Sequence, residues 1–188
     1  MTESSAPRTV VVAAASRHGS TAEIADRLAS RLNTALPGYW NVCRNDPGND
    51  WSLANADAVV LGSAIYFGRW LRPARHALQR IDDRDHVWLF SSGPVAAADG
   101  SEQPTELGQS AHHPHATFGG RLDPSRLTRL ERFVTRVVHA DAGDLRDWSA
   151  IDRWADGIAD ELSHTFDSHH HQSADADRAA PHPTGERP

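Results

Sequence analysis

The 188-residue chain contains no lysine; its 19 basic side chains are all arginine, set against 25 acids for a formal net charge of −6. That sign argues against general nucleic-acid binding. A single cysteine, Cys43, excludes an internal disulfide. Its place in a predicted strand makes it a buried, inert thiol by expectation. No apolar run approaches the roughly 20 residues of a membrane span, and residues 1–7 lack the basic-then-apolar pattern of a secretion signal. A soluble cytoplasmic protein is therefore expected. Hydrophobic residues make up 39% of the chain, enough for the core of one domain, and the length leaves no room for a second full one.

What is present begins with an unbroken apolar run, Val10-Val11-Val12-Ala13-Ala14-Ala15, followed by Ser16-Arg17-His18-Gly19-Ser20-Thr21 and then a helical periodicity. Strand, tight hydroxyl-rich turn and helix N-terminus, in that order, form an anion site. Gly19 permits the sharp turn, Ser16, Ser20 and Thr21 bring hydroxyls, and helix amides and dipole face the same point. The turn lacks the lysine of a G-x-x-x-x-G-K-[ST] loop and the three glycines of a G-x-G-x-x-G turn. A monophosphate held by neutral donors fits it better than a nucleoside triphosphate or a dinucleotide. The alternative is an ordinary helix with Ser20 as N-cap and Glu23 closing a capping box.

Five short apolar runs, at residues 9–15, 39–44, 58–64, 86–92 and 115–121, read as strands. Continuous runs such as Val59-Val60-Leu61 and Val87-Trp88-Leu89-Phe90 are expected where helices cover both faces of a parallel sheet. Ile24, Leu28, Leu32 and Leu36 mark a first helix ended by Pro37-Gly38. A second spans 72–81 with Pro73 in its first turn. Asp123-Pro124 opens a third carrying Leu127, Leu130, Val134, Val137 and Val138, and Ile151, Trp154, Ile158 and Leu162 mark the last. This alternation predicts a doubly wound α/β fold with ligands at the carboxyl ends of the strands. Residues 94–114 read as an irregular excursion, residues 1–7 as a flexible N-terminus, residues 8–167 as the folded domain, and residues 168–188 as a disordered tail.

After the third strand comes Gly62-Ser63-Ala64-Ile65-Tyr66-Phe67-Gly68-Arg69-Trp70, with three aromatic rings around a glycine turn. Such a turn offers a flat apolar face and backbone amides to a planar heterocycle, or packs its rings against a helix. Ser91-Ser92-Gly93-Pro94-Val95 forms a third loop at the same edge. One phosphate loop and two loops able to flank a ring system describe a pocket for flavin mononucleotide (FMN).

In these segments the chain resembles the flavodoxin-like family over residues 8–166. The resemblance implies a flavodoxin-like doubly wound, five-stranded parallel sheet of order 2-1-3-4-5. Ser-Arg-His-Gly-Ser-Thr is similar to the Arg-x-Gly-x-Thr loop of the flavodoxin-type, menaquinone-dependent protoporphyrinogen oxidases, as is Ala64-Ile65-x-Phe67-Gly68. Phe118-Gly119-Gly120-Arg121-Leu122 and Asp147-Trp148 stand where that branch has its fifth strand and its late Asp-Trp. The resemblance implies bound FMN, with Ser16, His18, Gly19, Ser20 and Thr21 on the phosphate and Arg17 on the loop facing outward. Ser63, Ala64, Ile65, Tyr66, Phe67 and Gly68 would line one side of the ring, and Ser92, Gly93 and Pro94 the other. It further implies electron transfer from a porphyrinogen to a quinone, a step of haem biosynthesis. An electron carrier between redox proteins and a flavin-free sensing or interaction module of the same fold are the alternatives. Flavin electron transfer demands no side-chain acid or base, and no catalytic residue is nominated.

Arg69, Arg72 and Arg75, and the arginines at 121, 126, 129, 132 and 136, offer charge to propionates, a redox partner or the inner face of a membrane, or form solvated helix faces. His112, His113 and His115 fall in one loop and His169, His170 and His171 in the tail. Neither group brings cysteine or well-spaced partners, so adventitious binding and no physiological metal site are expected.

Overall fold

The computed structural model describes residues 7–93, 107, 110–120 and 144–178. Their elements follow the chain as β1 (Arg8–Ala15), α1 (Ser20–Ala35), β2 (Trp40–Asn45), α2 (Asp50–Ala54), β3 (Ala58–Tyr66), β4 (Arg69–Trp70), α3 (Arg72–Ile81), β5 (Val87–Gly93), β6 (His115–Gly119) and α4 (Trp148–Arg178). Five parallel strands lie in the order β2-β1-β3-β5-β6, and short β4 folds back antiparallel on β3. This is the flavodoxin-like doubly wound sheet.

Alternation along the central strands divides the core in two. Val10, Val12, Ala14, Ala58, Val60, Trp88 and Phe90 face α1 and α4, where Ile24, Leu28, Leu32, Ile151, Ile158 and Leu162 cover them. Val11, Ala13, Val59, Leu61, Val87 and Leu89 face the other way, onto Leu53 of α2 and Ala74, Ala77, Leu78 and Ile81 of α3. Because both faces are covered, these strands carry no polar alternation. Gly62 is required by one close approach: a Cβ there would lie 2.1 Å from Cζ of Phe90.

Helix α1 ends at Ala35, before Pro37-Gly38, as its periodicity predicts. Its N-cap is Gly19, not Ser20, with φ 92° and ψ −23°. The capping-box expectation fails because the N-cap glycine has no side chain to cap with, and Glu23 Oε2 accepts from the Arg146 guanidinium. Along the outer flank, Arg27 pairs bidentately with Asp152 and Arg31 with Asp156, tying α1 to α4.

Three further expectations are adjusted. Cys43 is half-buried, because β2 is an edge strand. The sheet gains β4, too short to leave a periodic signal, and α2 appears in a segment with no helical pattern. Helix α4 runs past Ser168 to Arg178, through His- and Asp-rich sequence that contains no proline before Pro181. The helix expected from Asp123-Pro124, the second arginine cluster and most of residues 94–114 lie outside the described residues.

Candidate functional site

All the strands of the parallel sheet end at one edge, and three segments meet there. The first is the β1–α1 turn. Gly19 takes a left-handed conformation that L side chains resist, and its N–H donates to Ser16 Oγ at 3.1 Å. Glu23 N–H donates to Gly19 O at 2.9 Å, closing the first turn of α1. Helix geometry leaves the preceding amides of Thr21 and Ala22 without intrahelical acceptors and concentrates the positive dipole end at the same place.

Thr21 does not present its hydroxyl outward. Its Oγ1 lies 2.7 Å from Ser92 Oγ in a buried pair that ties the turn to the end of β5. One hydroxyl donates to the other, so the pair keeps one O–H proton for a further acceptor.

The second segment is the β3–β4 hairpin. Tyr66 pairs with Arg69 and Ile65 with Trp70, leaving a two-residue turn of Phe67 and Gly68. Both have positive φ, 52° and 71°, as a type I′ turn needs. A phenylalanine in this conformation stores strain of order 1–2 kcal/mol. The residue is 84% exposed, and a Cβ placed on Gly68 would meet nothing within 4 Å. A strained turn thus holds a bare aromatic ring beside open space. Half-buried Tyr66 lies between the hairpin and the β1–α1 turn, with the exposed Arg17 guanidinium 5.5 Å from its ring centroid and the His18 ring at 6.3 Å.

The third segment is the end of β5 and β6. Gly120 N–H donates to Gly93 O at 2.7 Å, and Leu145 N–H donates to Gly120 O at 3.1 Å. Arg146, its side chain 3% exposed, grips both Asp144 oxygens and Glu23 of α1, and lies 4.4 Å from the Trp148 ring centroid. These carboxylates, Asp144 foremost, hold its proton more tightly than usual. Arg146 is therefore a clamp between α1 and the approach to α4 and not a cation offered to a ligand.

The predicted site residues thus separate into two groups. Ser16, Arg17, His18, Gly19, Ser20, Tyr66, Phe67, Gly68 and Gly93 reach the edge with some exposure, and Ile65 is half-buried behind it. Thr21, Ser63, Ala64 and Ser92 are buried beneath. Ser63 Oγ accepts from Leu71 N–H and donates to Ala64 O, both at 2.9 Å, so it fastens the hairpin to the start of α3. Pro94 lies outside the described residues.

Sequence reading overlooked a buried polar row beneath the edge. Trp70 Nε1 donates to Ser91 Oγ at 2.8 Å, and Ser91 Oγ lies 3.0 Å from His115 Nε2. An indole N–H only donates, so the serine O–H is left to point at the imidazole. Burial pushes His115 below its ordinary value, which fits a neutral ring accepting that proton. The signal was a serine pair interrupting the apolar run of β5, and a tryptophan close behind a glycine turn.

The sequence profile of the Flavodoxin domain matches residues 11–149. No curated protein matches the chain by sequence. Among solved structures, a flavodoxin from the domain Archaea is 14% identical with a TM-score of 0.55, covering 83% of this chain and 99% of its own. Flavodoxin 2 from Bacillus cereus is 19% identical with a TM-score of 0.52, covering 82% and 99%. The Flv1 flavodiiron core from Synechocystis sp. PCC6803 is 14% identical with a TM-score of 0.56; the match covers 85% of this chain but 37% of that one. At these identities the structural likeness is one of fold. No described helix is long and apolar enough to cross a membrane.

Proposed function

Since the chain belongs to the Flavodoxin domain family, we propose that it binds FMN at the carboxyl edge of the sheet and serves as a redox protein. The observation that carries this reading is the strained Phe67-Gly68 turn. It presents an exposed ring at the same edge as the left-handed Gly19 turn, so an aromatic face and an anion cradle serve one ligand. The residues fit the cofactor. The amides of Thr21 and Ala22, with the hydroxyls of Ser16 and Ser20, would hold the phosphate; Tyr66, Phe67 and Gly68 would flank the ring on one side and Gly93 on the other. Thr21 and Ser92 would act from below by fixing the distance between phosphate turn and ring loop. FMN, when bound, supplies one- and two-electron transfer, and the chain orients it and excludes water from its buried face.

Electron transfer between redox partners is the broader reading, and the edge supports it with stacking, amide and hydroxyl donors and no side-chain acid or base. Arg17 and Arg69, both exposed, supply positive charge for an acidic partner. A narrower reading, oxidation of protoporphyrinogen with a quinone as acceptor near a membrane surface, rests on the Arg17-His18-Gly19-Ser20-Thr21 and Ala64-Ile65-Tyr66-Phe67-Gly68 motifs. On that reading the same arginines would meet porphyrin propionates.

Purified protein is expected to be yellow, or to become so with one equivalent of FMN. A colourless protein that takes up no FMN overturns both readings. In loaded protein, reduction by protoporphyrinogen and reoxidation by a quinone select the oxidase. Failure of both half-reactions, with rapid electron exchange with a redox protein, selects the carrier.

A further inference from the structure

We propose that Asp82, His112 and His113 form a binding site for one divalent first-row transition-metal ion, at the end of the sheet opposite the flavin edge. Asp82 follows the last residue of α3, and the two histidines lie just before β6, so the fold joins groups 30 and 31 residues apart. One imidazole or carboxylate ligand atom from each lies within 4.8 Å of the other two. His112 Nε2 and His113 Nε2 stand 2.9 and 3.0 Å from the same Asp82 carbonyl oxygen. Their rings are 3.9 Å apart, and both nitrogens converge on that acceptor; without metal each donates its N–H to it, and an ion bound there would take the place of those protons.

The Asp82 carboxylate supplies the decisive observation. Its Oδ1 is buried and makes no hydrogen bond, while the side chain as a whole keeps 32% of its exposure. This oxygen lies 3.5 Å from His113 Nε2, an ion pair only when that imidazole is protonated, and the spacing is close to the roughly 3.4 Å between neighbouring ligands on a tetrahedral zinc with bonds of about 2.0–2.1 Å. An unsatisfied buried carboxylate oxygen calls for a missing water or ion, and two imidazole nitrogens beside it choose a transition metal over calcium or magnesium.

The surroundings favour a cation further. Asp82 caps α3, whose C-terminus carries the negative end of the helix dipole. Asp83 and Asp85 flank it. The one arginine between them, Arg84, is turned away to the carbonyls of Leu53, Ala54 and Ala56. The loop is also held in place: His113 N–H donates to Ser110 O, and Pro114 O accepts from Leu89 N–H at 2.8 Å. His113 is 95% buried, as its side chain keeps 5% of its exposure, whereas His112 is exposed. The ion would clamp the end of α3 to the start of β6, with a further coordination position open to water.

Zinc chloride titrated into the chelator-treated full chain, in competition with a chromophoric chelator, tests the site. His169-His170-His171 supply a rival ligand set, so the chain carrying His169→Ser, His170→Ser and His171→Ser is measured beside the parent. One equivalent is expected to bind in both, raising the thermal midpoint of both. Asp82→Asn and His112→Gln should each weaken it by more than the about 10- to 100-fold that loss of an outer partner produces, and abolish the thermal shift. His112 is exposed, so its replacement leaves the core intact and keeps the test decisive should Asp82→Asn fold poorly. Loss of the equivalent with the tail substitutions, or its retention in both Asp82→Asn and His112→Gln, overturns the proposal. Cobalt(II) substitution supplies a spectroscopic check: visible bands sensitive to His112→Gln are expected, and bands indifferent to it count against the site.

Discussion

The two ends of the parallel sheet are built differently. At the carboxyl end, the polar side chains of β3, of β5 and of the first turn of α1 are mostly already paired: Thr21 with Ser92, Ser91 with Trp70 and His115, Ser63 with Leu71. What reaches the edge there is backbone, an aromatic ring and the side chains of the Ser16–Ser20 turn. At the amino end, the groups brought together come from a helix terminus and a distant loop, and a buried carboxylate oxygen is left unmet. The first arrangement suits a large planar ligand held by amides and stacking; the second suits a small ion held by side-chain atoms. One frame thus offers two recognition chemistries, and the difference arises because strand ends expose main chain whereas crossing segments bring side chains together.

The largest effect is expected where the frame is shared. Gly62→Val forces a branched side chain into the ring of Phe90 and should destabilise the fold by about 3 kcal/mol. Thermal unfolding, FMN uptake and zinc uptake should all suffer together. If either end survives unchanged, the two are less coupled than the common core implies.

Gly19→Val separates them. A β-branched residue at φ 92° costs about 1–3 kcal/mol. FMN affinity, measured by fluorescence quenching, should fall about tenfold or more while zinc stoichiometry holds.

Phe67→Asn is subtler and changes sign with the measurement. Asparagine tolerates the left-handed conformation, so the FMN-free protein should gain about 1 kcal/mol in denaturant titration, whereas FMN affinity should drop as the exposed ring is lost. A variant weaker on both counts would mean that Phe67 packs within the fold.

The smallest expected effect belongs to the α1–α4 flank. Arg27 and Arg31 hold Asp152 and Asp156 below the ordinary carboxyl value of 3.8 through hydrogen bonding and charge. Because the folded-state values are depressed, the contribution is present above pH 3.8 and disappears as pH falls through the folded values. The double variant Asp152→Asn, Asp156→Asn should be slightly less stable than the parent at pH 7, with the gap closing in acid and in high salt. A gap independent of pH would assign the loss to packing.

Much of this was legible in sequence because the central strands are apolar on both faces and announce a covered parallel sheet. The number of parallel strands, the bounds of α3 and the glycine turn followed from local pattern, and the order of the strands from the family resemblance. The roles of individual hydroxyls did not. Ser63, Thr21 and Ser92 occupy positions that loop reading assigns to a ligand, yet their side chains turn inward, because strand residues alternate faces and Thr21 faces the sheet from α1. The partner of His112 and His113 was equally out of reach: Asp82 is about 30 residues away, joined to them by the β5 crossover, and no spacing rule spans it.

The coverage of α1 bears on how the chain is made. Ile24, Leu28 and Leu32 emerge early in synthesis, but Ile151, Ile158 and Leu162, which share their cluster, come well over a hundred positions later. Until α4 has left the ribosome, α1 alone covers that face of the sheet, and Trp88 and Phe90 lack the cover of Ile151, Ile158 and Leu162. A chain stalled before that point would be a natural client for a chaperone, and the bidentate arginine pairs would be among the last fastenings to close.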